Sequence, residues 1–249
     1  MYICQYIYIL KEKLKSKLKK IKWQRFILEF LSVFTAVITA FALTNWSENR
    51  DNRKSEIKIL TEIKNGINVD KNDFSRNMYG HNLSLRANNK FRGLLNGKSI
   101  SQDSIETFYV ALFRDYTPVI NSTGYESLKQ KGLETITNDS LRFQIISLYD
   151  YYYDVIEILD DVNEMQSFKN YFASINSLLH PYMEFDDSGN LLKINIPENL
   201  SETEKNEIFS YLWRLEKNRN FKLGRYQSII KIMDKVQTNI ENEIKNKTK

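Results

Sequence analysis

Several short patterns in this sequence have residue types suited to chemistry, and each lacks a part that its chemistry needs. Gly93-Leu-Leu-Asn-Gly97-Lys98-Ser99 comes near a phosphate loop. Such a loop wraps backbone N–H groups around a phosphate, which takes four residues between the glycines and a preceding strand. Here three residues separate them, after a helical pattern, so Gly97 is expected to end a helix. Tyr125-x-x-x-Lys129 has the spacing of a dehydrogenase dyad, but no glycine-rich dinucleotide fingerprint accompanies it. A surface tyrosine–lysine pair is the expectation. Asp186-Asp187-Ser188-Gly189-Asn190 has calcium-loop character without the later bidentate acid, and reads as a turn. Asp160 and Asp161 are adjacent and therefore diverge on a helix, so they form no acid/base pair. Cys4 is the single cysteine, and His81 and His180 lie far apart in the chain, which speaks against a His/Cys metal site. The expectation is a non-enzyme with no catalytic residue, no metal site and no cofactor.

One local feature remains, the run Tyr149-Asp-Tyr151-Tyr152-Tyr153-Asp154. On a helix Tyr149, Tyr152 and Tyr153 share a side and Tyr151 points elsewhere. That side could stack a ligand. The plainer expectation is a core layer whose hydroxyls reach the surface.

The elements that carry these residues are expected to be helices. The chain has 249 residues with only 8 glycines and 3 prolines, well under the usual ~7% and ~5%. Such a poverty of turn formers favours long helices, and the fold class expected is all-α. The net charge of +5 is unevenly placed. Residues 1–25 hold eight Lys/Arg against Glu12, a net of +7, which leaves −2 for the rest. The basic pI thus belongs to a short arm, and a nucleic-acid partner is not expected.

Residues 26–46, FILEFLSVFTAVITAFALTNW, carry no charge after Glu29. As a helix they would span about 31 Å at ~1.5 Å per residue, against a hydrocarbon core of about 30 Å. Trp23 and Trp46 stand at the edges, where indole rings favour the lipid–water interface. The run is longer than the apolar core of a cleaved signal peptide, so an uncleaved signal-anchor is expected, with lipid as its partner. Glu29 is expected to pair with Arg25 one turn earlier rather than mark an ion path. Ser32, Ala36 and Ala40 form a small-residue stripe through which two copies could pair. By the positive-inside rule the +7 arm places the N-terminus in the cytoplasm and residues 47–249 on the far side. In a bacterium whose inner membrane the helix spans, the far side is the periplasm.

Beyond the span, Ile57, Leu60, Ile63, Ile67, Phe74 and Met78 keep a three/four spacing. They predict that the membrane helix continues as a stalk over 47–96, with Gly66 and Gly80 weakening or bending it. Residues 97–249 are expected to form a helical domain packing against that stalk. Asp103 with Glu106 predicts a capped helix to about Asp115, and Asn138 an N-cap for a helix that runs or hinges through to Leu179. Leu191–Pro197 suggests a short strand. Ser201 with Glu204 predicts a capping box for a helix ending near Asn218. A last helix carries Phe221, Tyr226, Ile229, Met233, Val236, Ile240 and Ile244.

Two blocks resemble a bacterial family of membrane-anchored proteins of unknown function. Residues 29–60 run from the apolar span into an Asn-Trp-x-Glu-x-Arg juncture, here Asn45, Trp46, Glu48 and Arg50. Residues 123–152 are similar to a second block in which a Leu-Lys-x-x-Gly segment precedes a capped helix, here Tyr125, Leu128, Lys129, Gly132 and Leu133. The resemblance implies a single-pass anchor and a helical region, and no activity. The expected function is a membrane-tethered, non-enzymatic helical interaction module of the cell envelope, whose partner is another copy or an envelope protein. The alternative is a periplasmic small-ligand sensor that acts through a membrane partner.

Overall fold

The computed structural model describes residues 2–161, 168–197 and 200–248. The continuity of the helix across 162–167 and the side chains of Cys4, Asp160 and Asp161 lie outside the described residues. The chain is all-α with one small ribbon: α1 (Tyr2–Leu95), α2 (Gln102–Phe113), α3 (Thr123–Lys131), α4 (Asp139–Ser147), α5 (Asp154–Asp161), α6 (Phe168–Leu179), β1 (Met183–Phe185), β2 (Leu191–Ile194) and α7 (Glu202–Thr248). A π turn at Leu148–Tyr153 joins α4 to α5. Two compact units result, Met1–Ser55 and Glu56–Lys249, so the boundary falls within the stretch read as a stalk.

The first unit is helix throughout its described length. It contains a stretch long and apolar enough to cross a membrane, with none of its residues buried in protein. Phe26, Leu28, Phe30, Val33 and Phe41 are all more than half exposed.

In the second unit α1 and α7 lie antiparallel. Lys64 meets Glu241, Lys71 meets Asp234 and Arg92 meets Glu216, so residue numbers fall on one helix as they rise on the other. Two apolar clusters form along this pair. One joins Leu60, Ile63, Ile67 and Phe74 to α3, the α4–π–α5 arm and Tyr226 to Ile240 of α7. The other joins Phe91 and Leu95 to α2, α6, β2 and Ile208 to Leu215. The stripes read from the sequence therefore do face each other.

Local signals decide most helix ends. Asn138 caps α4 by accepting from the Leu141 N–H, and Ser201 and Glu204 bond each other's backbone as a capping box. Gly97, at φ 78°, ends α1 while Lys98 N–H returns to the Gly93 carbonyl. Asp186 accepts from Ser188 N and Asn190 N, making the turn between β1 and β2.

Several expectations are corrected. Asp103 and Glu106 do not form the cap of α2, which starts at Gln102 after Ser101. It stops at Phe113, because Asp115 is drawn away by Arg219 and Lys222. No break falls near Asn218: Asn218, Arg219, Lys222 and Leu223 are all buried, so contacts on both sides hold α7 as one helix through Gly224. Phe221 leaves the core stripe at 43% exposure, with the Arg225 guanidinium 5.2 Å from its ring centroid. Gly66 and Gly80 do not interrupt α1 but admit close neighbours. A Cβ on Gly80 would lie 2.2 Å from the Tyr116 ring, and one on Gly66 3.3 Å from the Asn121 carbonyl. β1, paired antiparallel with β2, had no sequence signal of its own.

Candidate functional site

The described site with the most convergent polar chemistry is a cleft beside the π turn. It arises because residues 112–137 run back along α1, held by polar side chains on the helix's inner stripe. The Ser84 hydroxyl donates to the Leu112 carbonyl, Asp73 accepts from Val119 N, and Asp70 accepts from Asn121 N at 2.7 Å. Farther along, the buried Glu56 accepts from Thr137 N and pairs with Lys247 at 2.9 Å. At Gly124 the backbones come closest: an added Cβ would lie 2.6 Å from Ile63 N. This approach seats α3 against α1 and turns Tyr125 towards the π turn.

The π turn supplies the facing wall. Its wider winding keeps Leu148, Tyr149, Tyr153 and Ile156 on the core side, leaves Tyr152 half-buried and turns Tyr151 outward. Tyr125 and Tyr149 stack with ring centroids 4.5 Å apart, and Tyr153 meets Tyr149 edge-on at 5.1 Å. The result is a cleft of about 160 Å³ lined by Ile120, Ser122, these three tyrosines, Lys129 and four acids, Glu126, Asp150, Asp154 and Glu157.

The three hydroxyls differ. Tyr125 donates to Asp150 at 2.6 Å and Tyr153 to the buried Asp70 at 2.9 Å. Tyr149 donates to the Asn121 carbonyl at 3.5 Å. Burial, with help from the neighbouring carboxylates, pushes all three phenols above their ordinary range. They are protonated at neutral pH, and so are donors and stacking surfaces rather than bases. Burial likewise lifts the Asp70 carboxyl to about 6, against the lowering effect of its bonds from Asn121 and Tyr153. Lys129 lies 2.5 Å from Glu126 and 5.0 Å from the Tyr125 ring centroid, and the hydrogen bond to Glu126 raises its pKa.

A second polar cluster sits between the two apolar ones. Arg219 donates to Ser84 Oγ, Asp115 Oδ1 and the Arg114 carbonyl, and its Nη1 lies 3.2 Å from His81 Nδ1. Lys222 also pairs with Asp115. Burial, reinforced by the Arg219 charge, lowers His81 to about 3, so it is neutral. Burial alone would raise Asp115; the two cations override it and hold its carboxyl below the ordinary range. The cluster fixes the start of the 114–122 segment. Sequence reading missed it, although Asp70, His81, Ser84 and Asn88 continue the same three/four spacing as the apolar stripe. Polar residues on a core stripe were the signal.

The membrane-juncture residues occupy the first unit. Arg25 pairs with Glu29 at 3.1 Å, Trp23, Asn45 and Glu48 are exposed, and the Arg50 guanidinium lies 5.7 Å from the centroid of the exposed Trp46. Ser32, Ala36 and Ala40 are exposed, with Ser32 Oγ bonded to the Glu29 carbonyl. In the second block Tyr125 and Leu128 are core residues, Leu133 is half-buried, and Gly132 takes φ 104° where α3 ends. Of the five matched residues Tyr125, Leu128, Lys129, Gly132 and Leu133, Tyr125 and Lys129 line the cleft.

Comparison with protein-family models, curated proteins and solved structures finds no match to this chain. The family resemblance rests on its two sequence blocks.

Proposed function

We propose that this chain is a membrane-tethered, non-enzymatic helical module of the bacterial cell envelope, anchored by residues 26–46 and presenting residues 56–249 on the far side for contact with another copy or an envelope protein. The observation that carries the reading is the contrast in burial: an apolar stretch with no protein cover, in a chain whose apolar stripes beyond residue 55 are packed. Apolar side chains exposed all round a helix are at home in lipid. The basic arm supports a cytoplasmic N-terminus. The phenols of the cleft, held protonated, favour binding over acid–base chemistry. The test is a pair of fusions after Lys249. A phosphatase that needs the periplasm should be active there, and a fluorescent protein that needs the cytosol should stay dark. The reverse pattern would overturn the orientation and the envelope role.

A second reading, a small-ligand sensor acting through a membrane partner, is favoured by the tyrosine-walled cleft, since convergent polar groups beside aromatic walls are the ordinary make-up of a solute site.

A further inference from the structure

We infer that the stretch of α1 before the span, residues 3–22, is a lipid-binding arm. Its apolar stripe lies in the interface of an anionic leaflet while its lysines meet the headgroup phosphates. The inference rests on residues 26–46 being the anchor and goes beyond it, because an anchor alone asks for no particular lipid.

The first observation is an uncovered stripe. α1 is helical from Tyr2 onward, without a break before the span. At about 100° per residue, Ile7, Leu10 and Leu14 fall within about 60° of one another. The sequence keeps the same three/four spacing at Ile3, Leu18 and Ile21. Ile7, Leu10 and Leu14 are each at least half exposed. Unlike residues 26–46, this stretch is apolar along one side only, which is the pattern of a helix that rests on a surface.

The second observation is charge, and it says what the surface is. Lys11 and Lys15 flank the stripe on one side and Lys13 and Lys17 on the other, while Glu12 and Ser16 stand opposite it; all six are exposed. Lysines at such a border keep their methylenes on the apolar side and send their ammonium groups to the phosphates. A second copy is the other natural cover for a stripe of this spacing. In a parallel pair, however, the flanking lysines would face lysines. Glu12, the one acid among residues 1–25, stands on the wrong side to compensate them. An anionic leaflet compensates every one.

The third is continuity. The anchor begins at Phe26, four residues past Lys22, so the arm is tethered to the bilayer it would bind. Laying the stripe on the leaflet turns the arm away from the axis of the span, and that turn is part of what the test reads.

The test is nitroxide labelling and electron paramagnetic resonance of the full-length protein in lipid nanodiscs. In a Cys4→Ser background, single labels go on Leu14→Cys in the stripe, Ser16→Cys opposite it and Val37→Cys in the span. The discs hold equal parts of phosphatidylcholine and phosphatidylglycerol. There the label on Leu14→Cys should be open to oxygen and shielded from a water-soluble nickel chelate, and the label on Ser16→Cys should show the reverse. In discs of phosphatidylcholine alone, or with Lys11, Lys13, Lys15 and Lys17 all changed to Gln, the shielding at Leu14→Cys should be lost. Both faces of a disc carry the same lipids, so the result does not depend on orientation. A label on Leu14→Cys that the chelate reaches in anionic discs would overturn the arm. So would shielding that neutral discs or the four substitutions leave unchanged, and so would dipolar broadening between labels at this position, the mark of a second copy. The label on Val37→Cys separates this inference from the anchor. If it sits in lipid while Leu14→Cys fails, the anchor stands and the arm falls; if the chelate reaches it, both fall.

Discussion

Two stretches of the same helix meet opposite fates. Residues 26–46 of α1 carry apolar side chains on every side and bury none of them in protein. Residues 56–95 bury a narrow stripe and place Glu56, Asp70, His81 and Asn88 inside it beside Leu60, Ile63 and Phe74. The number of apolar residues does not separate them; their arrangement does. A helix apolar all round offers nothing to hold a specific neighbour. A stripe interrupted by acids requires neighbours that bring N–H groups and cations, and so fixes which segments pack there and in what register.

If register on the 56–95 stretch is what matters, the largest loss should come from Gly124→Ala. Its Cβ would lie 2.6–3.0 Å from the backbone of Glu62 and Ile63, which cannot swing aside. A cost of about 3 kcal/mol or more is expected in urea unfolding of residues 56–249. Gly80→Ala meets a side chain, the Tyr116 ring, and should cost less. Equal costs would show that α3 is loosely seated.

Next should come the contrast between acids. Glu56→Gln keeps the shape but removes one of the two carboxylates paired with Lys247, leaving Glu243, and weakens the bond from Thr137, at a cost of about 2 kcal/mol. Glu48→Gln with Arg50→Gln, on the exposed juncture, should stay within about 0.5 kcal/mol of wild type, as read by thermal unfolding of the full chain. A large effect there would give the juncture a role in folding.

The buried titrating groups sharpen the comparison further. His81 is lowered from 6.5 to about 3, so its contribution is fully present above pH 6.5 and is lost as pH falls towards 3. Asp70 is raised from 3.8 to about 6. The folded chain binds that proton first, so the Asp70 penalty is present above pH 6 and fades as pH falls towards 3.8. The two oppose each other between these limits. Asp70→Asn should therefore make the loss of stability from neutral pH to pH 4 steeper, by at most about 3 kcal/mol at ~1.4 kcal/mol per pH unit. Unfolding free energies with the same pH slope in both proteins would contradict it.

The smallest expected effect on folding belongs to the other stretch. Ala36→Ile with Ala40→Ile should leave the stability of residues 56–249 unchanged. If the span pairs through Ser32, Ala36 and Ala40, crosslinking in membranes should fall while expression holds. An unchanged yield, or a wild type that never crosslinks, removes pairing through this stripe from the account.

Much of this was legible in the sequence because the signals are local or periodic. Asn138, Ser201 with Glu204, and Gly97 act within one turn, and the two long apolar stripes repeat every three or four residues. What escaped depends on distant partners. Asp103 and Glu106 have the spacing of a cap, but Asp115 is pulled out of α2 by residues more than a hundred positions away. The continuity of α7 depends on neighbours that bury Arg219 and Lys222, and no helix propensity reports them. In the cleft, the phase of the tyrosine run was readable, but its facing wall comes from α3 and from a segment that Asp70 and Asp73 hold against α1.

The claim on which the rest depends is that lipid covers residues 26–46. Alkaline carbonate extraction of membranes from cells expressing the full chain tests it directly. The account predicts that the chain stays in the membrane pellet, and that a chain lacking residues 26–46 is released as a folded, helical protein. Full-length protein released into the supernatant would contradict it, and the exposed apolar stretch would then need a protein partner in place of the bilayer.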